Sequence, residues 1–141
     1  MDQTTNIITK VALAHIKDGK LLCVRTKGLE LFYNVGGKPE LGESLEDALV
    51  RESKEEISVD LKRDTIKFLV EFSGPGVDKA KGKTVVFKLY TAQFDGEPKV
   101  SEEIEEMAYL DMNDLDKLPH LGKMAMSWLF QQDMVNGLQV E

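Results

Sequence analysis

Residues 44–57 combine two demands that few folds can meet together. Ser44 has the chemistry of a helix N-cap, and Asp47 three residues on completes a weak capping box, so a helix is predicted to about Glu56 or Ile57. At about 100° per residue from Leu45, Leu49 falls at about 40° and Ala48 at about 300°, which sets the apolar face. Glu52 then falls at about 340°, Glu56 at about 20° and Glu55 at about 280°. Three carboxylates therefore share or border the stripe that must be buried, while Glu46, Asp47, Val50 and Lys54 take the other side.

A buried ionised carboxylate is costly unless it is paired or bound to a cation. Like charges one helical turn apart also repel. Arg51, at about 240°, is the one base close by on this helix, within reach of Glu55 or Asp47. The cluster makes sense around a hard divalent cation, because oxygen donors suit Mg²⁺ or Mn²⁺, and the lack of His or Cys argues against Zn²⁺. A helix rotated to send the acids into solvent would instead expose Leu45 and Leu49. Just before it, Gly36-Gly37-Lys38-Pro39-Glu40-Leu41-Gly42-Glu43 is a glycine-containing loop that can bring backbone close to a ligand and hold phosphate oxygens at the helix start.

These residues carry a family pattern. Gly37, five residues, Glu43, seven residues, then Arg51-Glu52-Ser53-Lys54-Glu55-Glu56-Ile57-Ser58-Val59 closely resembles the Nudix box, Gly-x5-Glu-x7-Arg-Glu-U-x-Glu-Glu-x-Gly-U with U a bulky aliphatic. Gly37, Glu43, Arg51, Glu52, Glu55, Glu56 and Val59 match, whereas Ser53 replaces an aliphatic and Ser58 the second glycine. All polar positions are intact, so the departures bear on packing and loop shape more than on chemistry. The resemblance implies an α+β Nudix fold, an α/β/α sandwich with a mixed sheet. It also implies metal ligation by Glu52, Glu55 and Glu56 with help from the Gly37 carbonyl. Arg51 would hold the glutamates in position, and Glu43 would fix the loop–helix geometry. The implied activity is Mg²⁺-dependent hydrolysis, with Mn²⁺ as an alternative ion, of a phosphoanhydride bond in a nucleoside diphosphate linked to a moiety X. The metal would neutralise phosphate charge and acidify the attacking water.

The rest of the chain fits one domain of 141 residues, with 42% hydrophobic and 30% charged residues. Strands are expected over Ile7–Ile16 and Leu21–Arg25, joined by an Asp18-Gly19 hairpin turn, and over Leu31–Val35, stopped by Gly36-Gly37. Further strands are expected over Thr65–Phe72, Thr84–Phe94 and Ala108–Asp111, with Ser73–Lys83 as a long Gly/Pro-rich loop and Asp95–Pro98 as a turn. After Pro119, Leu121, Met124, Ala125, Trp128 and Leu129 recur at helical spacing and read as core. Strands, helix, strands and helix in this order suit a mixed sheet with helices packed on it.

Twenty-five acids against 18 bases give a net charge of −7, the wrong sign for a nucleic-acid partner. No apolar run approaches a membrane span, and Met1–Asn6 lacks the basic and apolar regions of a secretory signal. Cys23 is the only thiol, so no intrachain disulfide can form, which suits a cytoplasmic protein. A small-molecule nucleotide is the expected partner, with monomer and homodimer both open.

Other candidates are single residues. The second acidic run, Glu102–Glu106, resembles a segment in which Nudix relatives place a further metal-ligating or base-acting glutamate; Glu103 is the choice by spacing, Glu102 the alternative, and a solvated loop the plain reading. Arg25 matches a position where MutT-type members set a base on substrate phosphate, and Lys38 is a second candidate for phosphate; each also reads as a surface residue. His15 and His120 have no metal-ligand spacing. The 36 residues before Gly37 favour a MutT-like nucleoside triphosphate pyrophosphohydrolase. Pro75, 16 residues beyond Val59, resembles a marker of ADP-ribose pyrophosphatases, so ADP-ribose or nucleotide sugars stand second. A nucleotide-sensing Nudix module without activity is the alternative of another class, although such modules usually lose box glutamates.

Overall fold

Strand β1 (Ile7–Leu13) organises the molecule because both of its faces are apolar, which suits a strand covered on both sides. A computed structural model describes residues 6–77 and 80–137. After β1 come β2 (Ile16–Lys17), β3 (Lys20–Thr26), β4 (Tyr33–Gly37) and helix α1 (Leu45–Ile57). Then follow β5 (Lys67–Pro75), β6 (Thr84–Thr91), β7 (Ile104–Leu110) and α2 (His120–Gln131). The sheet runs β2-β3-β4-β1-β6-β5, with β7 on the other side of β3. β1 pairs parallel with β6, from Ile7 opposite Thr84 to Leu13 opposite Tyr90, and antiparallel with β4. The expected mixed sheet is the one found.

Strand alternation divides the core in two. Val11, Leu13, Leu22, Val24 and Val35 face Ala48, Leu49 and Ile57 of α1. Ala12, Leu21, Cys23 and Leu89 face Ala125, Met126 and Leu129 of α2. A helix therefore covers each face of the sheet, which is the expected α/β/α sandwich.

Several expected boundaries shift. β1 ends at Leu13, and Ile16–Lys17 forms the separate β2 that pairs with β3 through the expected hairpin; Asp18 and Gly19 at φ 54° and 74° supply its turn. Gly36 and Gly37 do not stop β4 but pair with Ala12 and Val11. A side chain on Gly36, at φ 149°, would run into the Val11 carbonyl, so glycine is what lets β4 lie this close to β1. β5 starts later than expected, after a 3₁₀ turn over Arg63–Thr65, and runs on through Gly74 and Pro75, opposite Val85 and Thr84; this shortens the loop before β6. β6 ends at Thr91, and Phe94 instead bridges to Leu61. β7 begins at Ile104, four residues early, because an edge strand can carry Glu105 and Glu106 on solvent. The α2 stripe is joined by Gly122 and Met126, both buried.

In α1, the Ser44 hydroxyl accepts the Asp47 N–H at 3.0 Å, the expected N-cap. The two departures from the box have visible costs. Ser53 is fully buried and its hydroxyl has no hydrogen-bond partner. Ser58 closes the helix in the left-handed region at φ 60°, its N–H donating to the Lys54 carbonyl, a conformation that favours glycine.

Ser53→Ala and Ser58→Gly are each expected to raise unfolding free energy by about 1 kcal/mol. Leu49→Ala, at a fully buried position, is expected to lower it by roughly 2–5 kcal/mol. Denaturant unfolding checks all three, and a loss of stability in Ser53→Ala would mean that its hydroxyl is satisfied.

Candidate active site

α1 packs its acidic edge against the glycine end of β4. Glu52, with its side chain 15% exposed, lies so close to Gly37 that a Cβ there would strike its Oε2. Glu56 is half-buried one turn on, and its Oε1 accepts the Gly36 N–H at 3.2 Å. Glu55 points outward with 54% exposure, as its place on the edge of the stripe requires.

Burial dominates the electrostatics. It raises the Glu56 carboxyl to about 8, with the Glu52 charge next and those of Glu55 and Glu103 adding, against the opposing Gly36 hydrogen bond. It also raises Glu52 to about 7, with a further contribution from hydrogen bonding to Glu55, while Arg51 opposes the shift. Of the second acidic run, Glu103 adds its charge at Glu56. The cause is local: the Lys99 N–H donates to the Ile57 carbonyl and the Ser101 N–H to that of Glu56, which ties this loop to the end of α1.

Arg51 links four carboxylates. Its Nε lies 3.0 Å from Glu40 and 2.9 Å from Glu43, and its Nη1 lies 3.2 Å from both Glu52 and Glu55. Glu43 in turn accepts the Glu40 N–H at 2.9 Å, and these bonds, the Arg51 pairing foremost, hold its carboxyl down at about 2. Arg51 and Glu43 thus join the loop to the helix. Of the two acids within expected reach of Arg51, Asp47 pairs with Arg63 instead. Glu40 and Gly36 were expected only as members of the ligand-approaching loop, not as partners of Arg51 and Glu56. The Gly-Gly pair was the available signal for Gly36, since only glycine can offer its N–H to a buried acid from that backbone conformation.

The donors fit a hard divalent cation: two desolvated carboxylates, a third at the edge, and a backbone stretch stripped of side chains at Gly37. Among the described residues no three of these groups are drawn together as tightly as a closed metal site, and Arg51 holds Glu52 and Glu55 on its guanidinium. Of the remaining candidates, Lys38 adjoins the cluster, its carbonyl accepting from Arg51 at 3.3 Å, and the others stand apart from it. Arg25 sits in β3 with its guanidinium 3.1 Å from Glu106, hydrogen-bonded to the Leu29 carbonyl and lying over Phe32. Lys38 is exposed just past Gly37. His15 packs on Phe94 with ring centroids 4.6 Å apart, and His120 starts α2, so neither joins the acids.

The Glu56 shift has a consequence for the metal-free protein. Its folded-state value of about 8 lies above the ordinary 4.5, so the folded form holds the proton more tightly. That stabilisation is complete below the ordinary value and is lost as pH rises through about 8. In a chelator, wild-type protein is expected to melt lower at pH 9 than at pH 6, with a smaller drop in Glu56→Gln. Equal drops in the two proteins would contradict this electrostatic picture.

A family model described as NUDIX domain matches residues 9–129. An ADP-ribose pyrophosphatase of Methanocaldococcus jannaschii is 32% identical over 105 residues, which cover 72% of this chain and 60% of that relative's length. The chain therefore spans about three fifths of the length of that curated relative. The solved MutT Nudix hydrolase of Burkholderia pseudomallei superposes with a TM-score of 0.66 at 28% identity, covering 89% of this chain and 97% of that one. A Nudix hydrolase from Nitrosomonas europaea shares the fold, with a TM-score of 0.69 at 18% identity over 95% and 97% of the two chains. Box residues, sandwich and family match coincide on the same stretch of sequence, and the chain belongs to the Nudix family.

Proposed function

We propose that this chain hydrolyses a phosphoanhydride bond in nucleoside diphosphate derivatives, with Mg²⁺ or Mn²⁺ held by Glu52, Glu55 and Glu56 and the Gly37 carbonyl. The observation that carries the reading is the pair Glu52 and Glu56, two carboxylates desolvated against a glycine backbone with no base given over to either alone. A protein gains nothing in stability from such a pair, so a role in binding a cation accounts for it better than a role in folding. A cation bound there would neutralise phosphate charge and acidify the attacking water.

The chain's own residues have distinct tasks in this reading. Arg51 orients Glu52 and Glu55 and, through Glu43, keeps the loop in register with α1. The Gly36-Gly37 backbone gives phosphate oxygens room to approach. Glu103 takes up the proton of the attacking water, its charge reaching the site through Glu56. Arg25 and Lys38 bind substrate phosphate, Arg25 by exchanging Glu106 for the ligand.

Nucleoside triphosphates are the first substrate class, in keeping with the MutT protein that this chain resembles at 28% identity. ADP-ribose is the second reading, favoured by the archaeal relative's activity and by Pro75. A hydrolysis panel over nucleoside triphosphates, ADP-ribose, nucleotide sugars and dinucleoside polyphosphates separates them.

Hydrolysis is expected to require Mg²⁺ or Mn²⁺, to stop in excess EDTA, and to rise towards alkaline pH as the attacking water and the acids lose protons. Glu56→Gln is expected to lose activity by roughly two to four orders of magnitude while keeping its fold. Phosphate release measured beside circular dichroism checks this, and undiminished turnover in EDTA would overturn the metal reading.

A further inference from the structure

An open cleft of about 500 Å³ lies beside the acidic site, between the start of β1, the start of α1 and β6. Its size is that of a small-molecule site. Ile7 and Leu45 form an apolar part of the wall, and Lys38, Lys83 and Lys88 bring three positive charges to it. In a chain of net charge −7, three lysines lining one cleft stand out from the general field. Neither Lys38 nor Lys83 has an ion pair among the described residues, and Lys88 has only Glu71, at 3.4 Å.

The sheet register fixes where this cleft stands. Lys88 pairs with Val11, and Val11 with Gly37, so the three lie in one row across β6, β1 and β4. Two strand spacings set Lys88 roughly 10 Å from Gly37, whose backbone touches Glu52. Lys83 is anchored as well: its N–H donates to the Ala80 carbonyl, and its own carbonyl accepts the Gly76 N–H. The cleft is thus cationic, partly apolar, fixed in the sheet and two strands across from the glycine that touches the acids.

We propose that the cleft lined by Lys83 and Lys88, with Lys38 on its border with the acidic site, is a second anion subsite, which takes a phosphate group without a metal. It rests on the hydrolase reading only for the source of that phosphate. A phosphate carried by the substrate beyond the scissile anhydride, or a free phosphate, offers the same doubly charged oxygen set to three lysines. Glu71 competes for Lys88 and sets the affinity.

Calorimetric titration in excess EDTA tests the site apart from the metal centre, with inorganic pyrophosphate and adenosine tetraphosphate as probes. Wild type is expected to bind, and Lys83→Met/Lys88→Met to bind about tenfold more weakly. Glu71→Gln is expected to bind more tightly, by severalfold, because it releases Lys88. Lys17→Met/Lys99→Met, which removes the same charge elsewhere, is expected to match wild type. Tighter binding of the nucleotide than of pyrophosphate assigns the site to substrate; equal binding assigns it to a free anion. No binding by wild type, or equal weakening in the Lys17/Lys99 variant, would overturn the proposal. Glu56→Gln distinguishes the two readings: it is expected to keep pyrophosphate binding while losing hydrolysis; binding that tightens strongly in this variant would place the anion at the acids and overturn the second subsite.

Discussion

The contact between the acidic edge of α1 and the glycine end of β4 governs the structure. Glu52 and Glu56 lie on a helix stripe that also carries Ala48 and Leu49, so burying the leucine takes the acids out of water with it. The sheet accommodates them because β4 ends in Gly36 and Gly37. One glycine gives Glu56 an N–H, and the other leaves the space that Glu52 fills. Burial strips water from both acids without a full replacement for it, and both consequently hold their protons well into the neutral range. The stability of the metal-free fold and the affinity of the site for cations are two sides of this one cost.

Arg51 keeps the cost bearable without removing it. It is shared among Glu40, Glu43, Glu52 and Glu55, so no one acid is fully neutralised. Its tightest partner is Glu43, whose carboxyl lies far below the ordinary range, so the strongest pairing in the site is spent on joining the loop to the helix. Glu56, the most desolvated member, has no basic side chain paired with it among the described residues. A cation bound here would meet the acid that no base pairs with, and Arg51 would be left to hold the remaining acids in place.

Much of this was legible in the sequence, for physical reasons. Helix periodicity put Glu52 and Glu56 on the apolar stripe and Glu55 on its rim, and their exposures follow that order. The Ser44 cap and the Asp18-Gly19 turn are local, so they could be read locally. What could not be read depended on partners distant in sequence. Gly36 and Gly37 look like a strand stop until β1 is seen to pair with them. Gly74 and Pro75 look like loop until β6 takes them into its ladder. The start of β7 was hidden by its own glutamates, which only an edge strand tolerates. The row Lys88–Val11–Gly37 exists only once a parallel crossover has set the register.

The central claim, that Glu52 and Glu56 form a desolvated pair awaiting a cation, has a direct thermodynamic signature. A ligand that binds carboxylates must displace the protons they hold. Titrating Mn²⁺ into metal-free protein in buffers of different ionisation enthalpy measures the protons released. At pH 6.5, below the values of about 7 and about 8 set by burial, at least one proton is expected to leave per ion bound, falling towards zero near pH 9.5. Mn²⁺ binding that releases no protons at either pH would contradict the account.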